Sequence, residues 1–543
     1  MIYSYEGIMS YHARHLPYQQ TGYFSQLVLD FLAAHPQVSP FYTYPPLQAD
    51  FEQVIAARRQ APVNRAVLTD ALRQQYEGRS LHEAVQANIA HLQSPDTFTV
   101  CTAHQPNLFT GYLYFVYKIL QAVKLAADLK VQYPQYNFVP VYYMGSEDAD
   151  LEELGSIFLD GKTLTWNTDQ HGAVGRMHTE GLEPLLAEIA NSIGFQPHGA
   201  ELLALLHEAY KPGVNVQEAT LYLVNALFGR FGLVVLVPDS AALKRLYIPV
   251  MRQELLQQTS YKLVTDTMAQ LAQHYKVQAN PREINLFYLI GDQRERIVRD
   301  GDHWSVLNTT YHFTEPELLA ELEAHPERFS PNVILRGMFQ ETVLPNLAFI
   351  GGGGEIAYWL ELKSLFAHYH VPYPVLLLRN SFLWVDSGSL KRLRKLGLES
   401  TDLFQDTLEL VDHYVETHTN AALVLKDEYA AIERLFDELT EKARSIDVTL
   451  VASVGAEYKN AVKSIGKLEH KFLKAEKKKF AWQTESIQTV KRKLFPANSL
   501  QERKENFIPY YAQYGPAFFD VLLEYIVPVT DQFIVIEEEG TAG

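Results

Sequence analysis

Short apolar runs that stop at polar or glycine-rich turns organise the first two thirds of the chain. Residues 98–103 (FTVCTA) are apolar and β-prone, and His104-Gln105-Pro106-Asn107 cannot continue them. From Tyr112 to Lys130 apolar residues recur at helical spacing (Leu113, Val116, Leu120, Val123, Leu125), and residues 138–144 form a second strand-like run that ends in Gly145-Ser146-Glu147-Asp148. This pattern predicts a βαβ unit, with His104 and the acids at the carboxyl ends of neighbouring parallel strands, where open α/β sheets bind ligands. Three later runs extend the sheet. Residues 233–237 stop at Pro238-Asp239-Ser240, 347–350 at Gly351-Gly352-Gly353-Gly354-Glu355, and 375–378 at Arg379-Asn380-Ser381. About 170–230 and 245–330 are expected as helical or mixed insertions into this sheet, because no Pro/Ser/Gly-rich linker sets them apart.

From about residue 388 the periodicity changes. Leu425, Tyr429, Ile432, Phe436, Leu439, Ala443 and Ile446 step by four and three. Beyond a break at Asp447-Val448-Thr449, Tyr458, Ala461, Ile465, Leu468, Phe472 and Ala475 do the same. Two heptad seams joined by a short break predict an antiparallel helical hairpin whose surplus apolar surface invites a second copy. The expected organisation is a core over 1–387, a coiled coil over 388–495 and a segment over 496–543 that returns to the core.

Composition narrows the function. The chain has 543 residues and a formal charge of −17, with 47% hydrophobic positions, enough for packed cores. The acidic balance argues against broad nucleic-acid binding. Without a long uninterrupted apolar run or an export-type start, neither a membrane span nor secretion is expected, and a cytoplasmic protein is. The single cysteine, Cys101, lies in the first strand and reads as a buried small hydrophobe.

The candidate chemistry gathers at strand ends. Gly351–Gly354 followed by Glu355 starts a helix that includes Tyr358, so backbone can approach a ligand closely at a helix amino terminus. The structural alternative is a tight turn with Glu355 serving the helix dipole. His104, Gln105 and Thr110 could donate to a phosphate or carboxylate, with Thr110 expected at the start of the helix. Glu147, Asp148 and Asp150 could hold Mg²⁺, bind an amino group or act as a base, or could simply be a solvated helix start. Arg282 and Arg336, each expected beside a strand, and Arg379 with Ser381 are anion candidates by position. Between Lys459 and Lys493, eleven basic residues against three glutamates give a local charge of +8, read mainly as a solvated face. Where this helix meets the core, Lys491, Arg492, Gln501, Glu502 and Arg503 are the alternative phosphate group.

Four separated motifs, in order, resemble the bacillithiol biosynthesis cysteine-adding enzymes, a cysteine ligase family. They are HQPNLFTGYLY at 104–114, Glu147-Asp148-Ala149-Asp150, GGGGEIAYW at 351–359 and LFPANSLQER at 494–503. Departures from the family pattern are Ala149 for the usual histidine, His104 where glycine is common, and Gly353 for a proline. The resemblance implies an α/β fold with a Rossmann-type parallel-sheet core, connecting-peptide insertions and a long antiparallel coiled coil that makes a homodimer. It also implies addition of L-cysteine to glucosamine-malate to form bacillithiol. The core is similar to that of class I aminoacyl-tRNA synthetases, which would put His104 near a triphosphate and Arg379–Ser381 near their second signature. On this reading ATP or another nucleotide activates the cysteine carboxylate, and Mg²⁺ enters with it. His104, Gln105, Glu147, Asp148 and Asp150 serve catalysis. Thr110, Gly351–Glu355, Arg379, Ser381, Lys491, Arg492 and Arg503 contact the nucleotide, and Arg282, Arg336 and Tyr358 contact substrate. Two other readings stay open: a non-catalytic nucleotide-binding coiled-coil dimer, and a ligase of the same fold for another amino acid and amine.

Overall fold

The computed structural model describes residues 10–419 and 425–540. They fall into two compact units: His15–Leu383 with Ser499–Ile534, and Trp384–Asn498 with the two ends of the chain.

In the first unit, Thr97–His104 (β1), helix Tyr114–Gln132 (α1) and Asn137–Met144 (β2) make the βαβ unit, followed by Val234–Leu236 (β3). Each strand is short, β-branched or aromatic, and buried on both faces, as a parallel sheet covered by helices requires. An insertion then supplies an antiparallel sheet of Leu286–Ile290 (β4), Gln293–Asp300 (β5), His303–Val306 (β6), His312–Thr314 (β7) and Phe329–Pro331 (β8), in the order β7-β6-β5-β4-β8. Helix Val333–Val343 (α2) leads back to Asn346–Gly351 (β9), helix Gly353–Leu360 (α3) and Val375–Leu378 (β10). The core sheet runs β10-β9-β1-β2-β3, all parallel. Strand order therefore reverses between β1 and β9, the position where open α/β sheets form a ligand crevice. Phe98, Val100, Leu347, Ile350 and Leu377 pack with Ala122, Leu125 and Leu129 of α1 on one face of it. Cys101 is fully buried in β1.

The first expected insertion is helical (Glu183–Ile193, Gly199–Ala209, Val216–Phe228); the second begins with helices Ile248–Gln257 and Thr259–Leu271 and ends in the antiparallel sheet. One local expectation fails here. Arg336 lies within α2, because the Asn332 side chain accepts from Ile334 N (2.9 Å) and starts a helix where β-branched residues suggest a strand.

In the second unit, Lys426–Ile446 (α4) and Leu450–Lys477 (α5) pair as the expected hairpin, with the Phe436 and Tyr458 rings 5.5 Å apart. Most of the first heptad seam faces α5, with Leu439 and Ile446 37% and 76% exposed, and the second drifts further off it. Leu468 and Phe472 are 41% and 44% exposed, while Glu469 takes the inner place and accepts from Tyr429 (3.0 Å) and Leu425 N (2.9 Å). A straight helix slips by about 20° per heptad against a 3.5-residue repeat, which accounts for the drift.

Candidate active site

β1 ends at His104 because Pro106 cannot donate into a ladder, and the chain then makes a turn that L-residues rarely adopt. Phe109, Thr110 and Gly111 have φ of 49°, 68° and 69°. The turn is held from outside: the Tyr210 hydroxyl accepts from Phe109 N (2.8 Å), and Asn506 Nδ2 donates to the carbonyls of Phe109 (3.0 Å) and Gly111 (2.5 Å). A Cβ on Gly111 would sit 2.8 Å from that of Asn107, so glycine is required. The turn delays the helix to Tyr114. Thr110 is thus not at its start, and its hydroxyl is buried in the turn.

Beyond this turn a cavity of about 800 Å³ opens at the switch point, a size typical of cofactor and substrate pockets. Its wall includes His104 and Gln105 after β1, Glu147 and Asp148 after β2, Gly352–Glu355 after β9, and Tyr358 of α3. Arg379 after β10, Arg336 of α2, Arg282 and Arg503 complete the set that the sequence brought forward.

The glycine turn is built to present backbone. Glu355 Oε2 accepts from Gly352 N (2.8 Å), capping α3, and from the buried Lys118 Nζ (2.6 Å), which also donates to the carbonyl of Ala103 (2.5 Å). Lys118 thereby ties the end of β1 to the start of α3. Burial lowers the Lys118 pKa against the pull of Glu355. A Cβ on Gly352 would come within 3.4 Å of Arg379 Nε, whereas one on Gly351 would press on Phe349 (2.8 Å) and Glu355 Cβ (3.0 Å). Gly351 therefore serves packing and does not line the cavity.

His104 stands against Tyr114 and Phe115, with ring centroids 5.4 and 5.5 Å away, and its Nε2 is buried without a partner among the described residues. Burial, then Lys118, Arg336 and Arg379, hold its pKa well below the ordinary value, so the imidazole is neutral. Gln105 donates to Asp148 Oδ2 (3.1 Å), which lies 3.9 Å from Arg336. Burial works to lower the Arg336 pKa, but Tyr358, hydrogen-bonded to it, and Asp148 raise it overall, so the guanidinium stays charged. Arg379 pairs with the fully buried Glu502 (2.7 Å), lies 4.9 Å from the Tyr114 ring centre and is near Ser381, whose hydroxyl donates to Glu502 (3.0 Å). Ser381 thus acts behind Arg379.

Several sequence candidates have structural employment. Glu147 is buried, with one oxygen on Lys244 and the other accepting from Ser330 (3.1 Å); burial pushes its pKa up against the opposing Lys244 ammonium. Each of its oxygens already has a partner, and the residue lines the cavity wall. Asp150 is the cap of a short helix, accepting from Glu153 N (3.1 Å), and stays outside the cavity. Lys491 belongs to the second unit. It is buried, donates to the carbonyls of Leu403 and Gln405 and lies 3.9 Å from the Phe495 ring centre, and burial lowers its pKa to about 8. Arg492 beside it donates to Thr489 (3.3 Å). Neither residue lines the cavity.

Other residues of the site went unnamed in the sequence. Lys118 looked like part of an amphipathic helix, yet it is a lysine inside the otherwise apolar run 115–120. Arg294 and Arg296 line the cavity from β5, and their i, i+2 spacing was the available signal. With Arg282, Arg336, Arg379 and Arg503 they make six arginines, against Glu147, Asp148, Glu153 and Glu355. An anionic ligand finds here a local basic patch in an acidic chain. Among the described residues no three His, Cys, Asp or Glu side chains converge as a metal site.

The chain matches two family descriptions end to end. "Bacillithiol biosynthesis BshC, N-terminal Rossmann-like domain" spans residues 11–380, and "Bacillithiol biosynthesis BshC, C-terminal coiled-coil domain" spans 382–538. Among curated relatives, proteins of Flavobacterium psychrophilum and Flavobacterium johnsoniae are each 40% identical, covering 96% of this chain and 99% of theirs. One of Christiangramia forsetii is 37% identical over 96% and 98%. All three carry the name "Putative cysteine ligase BshC". With its Rossmann-like unit, its coiled coil and relatives aligned over nearly their whole length, this chain belongs to the BshC family of bacillithiol biosynthesis.

Proposed function

We propose that this protein joins L-cysteine to the amine of glucosamine-malate, forming bacillithiol, with the cysteine carboxylate activated by a nucleotide. One observation carries the reading. A glycine turn at a helix amino terminus, six arginines and an accessible carboxylate, Asp148, converge on a single cavity at the sheet's switch point.

Amide formation from a free carboxylate and an amine is uphill in water, so the acid must first be activated. A cysteine carboxylate oxygen attacks a phosphorus of ATP, and pyrophosphate or ADP leaves. The amine nitrogen then attacks the acyl carbon, and AMP or phosphate departs with one of the former carboxylate oxygens. The phosphates suit the N–H groups of Gly353 and Gly354, the Gly352 N–H being taken by Glu355, together with Arg379 and Arg503, and Mg²⁺ would enter with them. Arg282 suits the malate carboxylates, and Arg336 stands beside Asp148 (3.9 Å) at the reacting amine. Asp148, steadied by Gln105, is placed to hold an ammonium and to receive the proton that the attacking amine sheds. Neutral His104 offers an uncharged hydrogen-bonding edge beside the phosphates and adds no further cation. Without a strand–Ser–helix elbow, no covalent enzyme intermediate is expected.

The protein acts as a homodimer through the hairpin, where Leu435, Leu439, Leu468 and Phe472 are 37–53% exposed on an otherwise charged surface. We place the reaction in the cytoplasm, where ATP is at hand. Among the described residues no helix is long and apolar enough to cross a membrane. The test is mass spectrometry of the protein incubated with glucosamine-malate, L-cysteine and ATP·Mg²⁺, with single omissions. The cysteinyl amide is expected only in the complete mixture. A folded protein that makes no amide from these substrates, but does from another amino acid or amine, would sink the assignment.

A further inference from the structure

Arg294 and Arg296 are two residues apart on β5, so they leave the same face of the insertion sheet, the face of Phe287, which pairs with Arg296 across β4. All three line the cavity, as does Arg282 from the loop before β4. Arg294 is anchored at one end only: its Nε donates to Ser330 Oγ (3.2 Å), and its guanidinium lies 3.8 Å from the Phe287 ring centre. Arg296 Nε is buried without an acceptor among the described residues. Among the described residues neither of these, nor Arg282, has a carboxylate within ion-pair distance, whereas Arg336 and Arg379 are answered by Asp148 and Glu502. A side pocket of about 350 Å³ opens between Arg282 and Arg296, with Tyr261 and Ile284 in its wall and Glu283 its one acid. Three guanidinium groups with no carboxylate in direct contact, Glu147 and Asp148 acting on Arg294 only from a distance, are a preformed seat for a ligand with more than one negative charge.

Three anions reach this cavity on the ligase reading: the nucleotide phosphates, the singly charged cysteine carboxylate, and the two carboxylates of the malyl group. The phosphates already have the glycine turn and Arg379. We propose that Arg282, Arg294 and Arg296 form a dicarboxylate subsite that grips the malyl group and makes the enzyme prefer a malate-bearing amino sugar to the bare sugar. This rests on the ligase reading for the identity of the ligand. Planar forks meeting planar carboxylates give the geometric selectivity that a lysine cluster would not.

The test is steady-state kinetics on Arg282→Met, Arg294→Met and Arg296→Met, with glucosamine-malate and with glucosamine as acceptors. Loss of one charge-assisted bidentate contact is expected to raise KM for glucosamine-malate by ~10- to 100-fold. KM for ATP and for cysteine should stay within about twofold, the precision of such kinetics against a tenfold effect, and the preference over glucosamine should collapse. A rise in KM for ATP with none for glucosamine-malate would assign the arginines to phosphate and overturn the proposal, as would no change in any KM. Arg294→Lys, which keeps the charge, stands in should the methionine variant fail to fold, and a smaller loss is expected from it. If the wild type makes no amide at all, the ligase reading falls alone. Calorimetric titration with malate then decides the subsite, with binding to the wild type and none to the Arg294→Met, Arg296→Met double variant expected. Equal binding to both would refute it.

Discussion

Replacing Lys118 by methionine tests how the two ligand loops are held together. The ammonium is 1% exposed and has two partners, the carbonyl of Ala103 and Glu355 Oε2. Methionine fills similar volume, so little of the effect comes from a cavity. The Ala103 carbonyl loses a buried donor, at a cost of about 1–3 kcal/mol. Glu355 loses its counter-charge but keeps Gly352 N and the helix dipole, and its side chain is 24% exposed, so its share falls well below the 3–5 kcal/mol of a fully buried broken pair. Together these come to about 3 kcal/mol. For a unit of about 400 residues, at ~2.1 cal/mol/K per residue, that lowers the melting midpoint by about 3–4 °C. The assay is thermal unfolding of the wild type, Lys118→Met, Glu355→Gln and the double variant. A coupling of at least 1 kcal/mol is expected between the two sites, the range seen for contacting partners. Additive effects, or a Lys118→Met midpoint within about 1 °C of wild type, against the several degrees worked out above, would refute the linkage.

Further expectations follow from the same geometry. Glu341 is fully buried; burial first, opposed by Arg58, pushes its carboxyl up to about 7, and Oε2 has no hydrogen-bond partner among the described residues. Between the unfolded value and about 7 the native state holds a proton that the unfolded chain releases, so stability falls as pH rises through that window, by about 3 kcal/mol. Melting curves from pH 5 to 8 should therefore decline more steeply for the wild type than for Glu341→Gln, a slope set by the proton held in the native state; parallel declines would contradict this. Gly111→Ala should destabilise by ~2 kcal/mol or more, since it combines a positive φ with a 2.8 Å approach to Asn107. Urea unfolding checks it. Leu439→Glu with Phe472→Glu should turn a dimer into a folded monomer by light scattering; an unchanged mass would place the dimer contact elsewhere.

Much of the core was legible because its signals are local. Residues 98–144 carry apolar runs with strand and helix periods and a proline that ends the first strand, and the structure has β1, α1 and β2 there. What escaped depends on tertiary partners. Nothing in the sequence gives Lys118 its partners, Ala103 and Glu355, which come to it from separate loops. Arg294 and Arg296 alternate visibly, but alternation does not say which face of a strand meets a cavity and which meets water. Glu147 and Lys491 looked available because pattern identifies charge, not the counter-charge or carbonyls that occupy it. The second heptad seam failed for a geometric reason, the slip between 3.5 and 3.6 residues per turn over a long helix.

The central claim is that a nucleotide activates the cysteine carboxylate before the amine attacks. Its most direct test follows heavy oxygen placed in that carboxylate through a reaction with glucosamine-malate and ATP·Mg²⁺. The account predicts that each amide formed leaves one labelled oxygen in AMP or in phosphate, read by mass spectrometry, with the other kept in the product. Amide formation with no label in either nucleotide product or phosphate would contradict it.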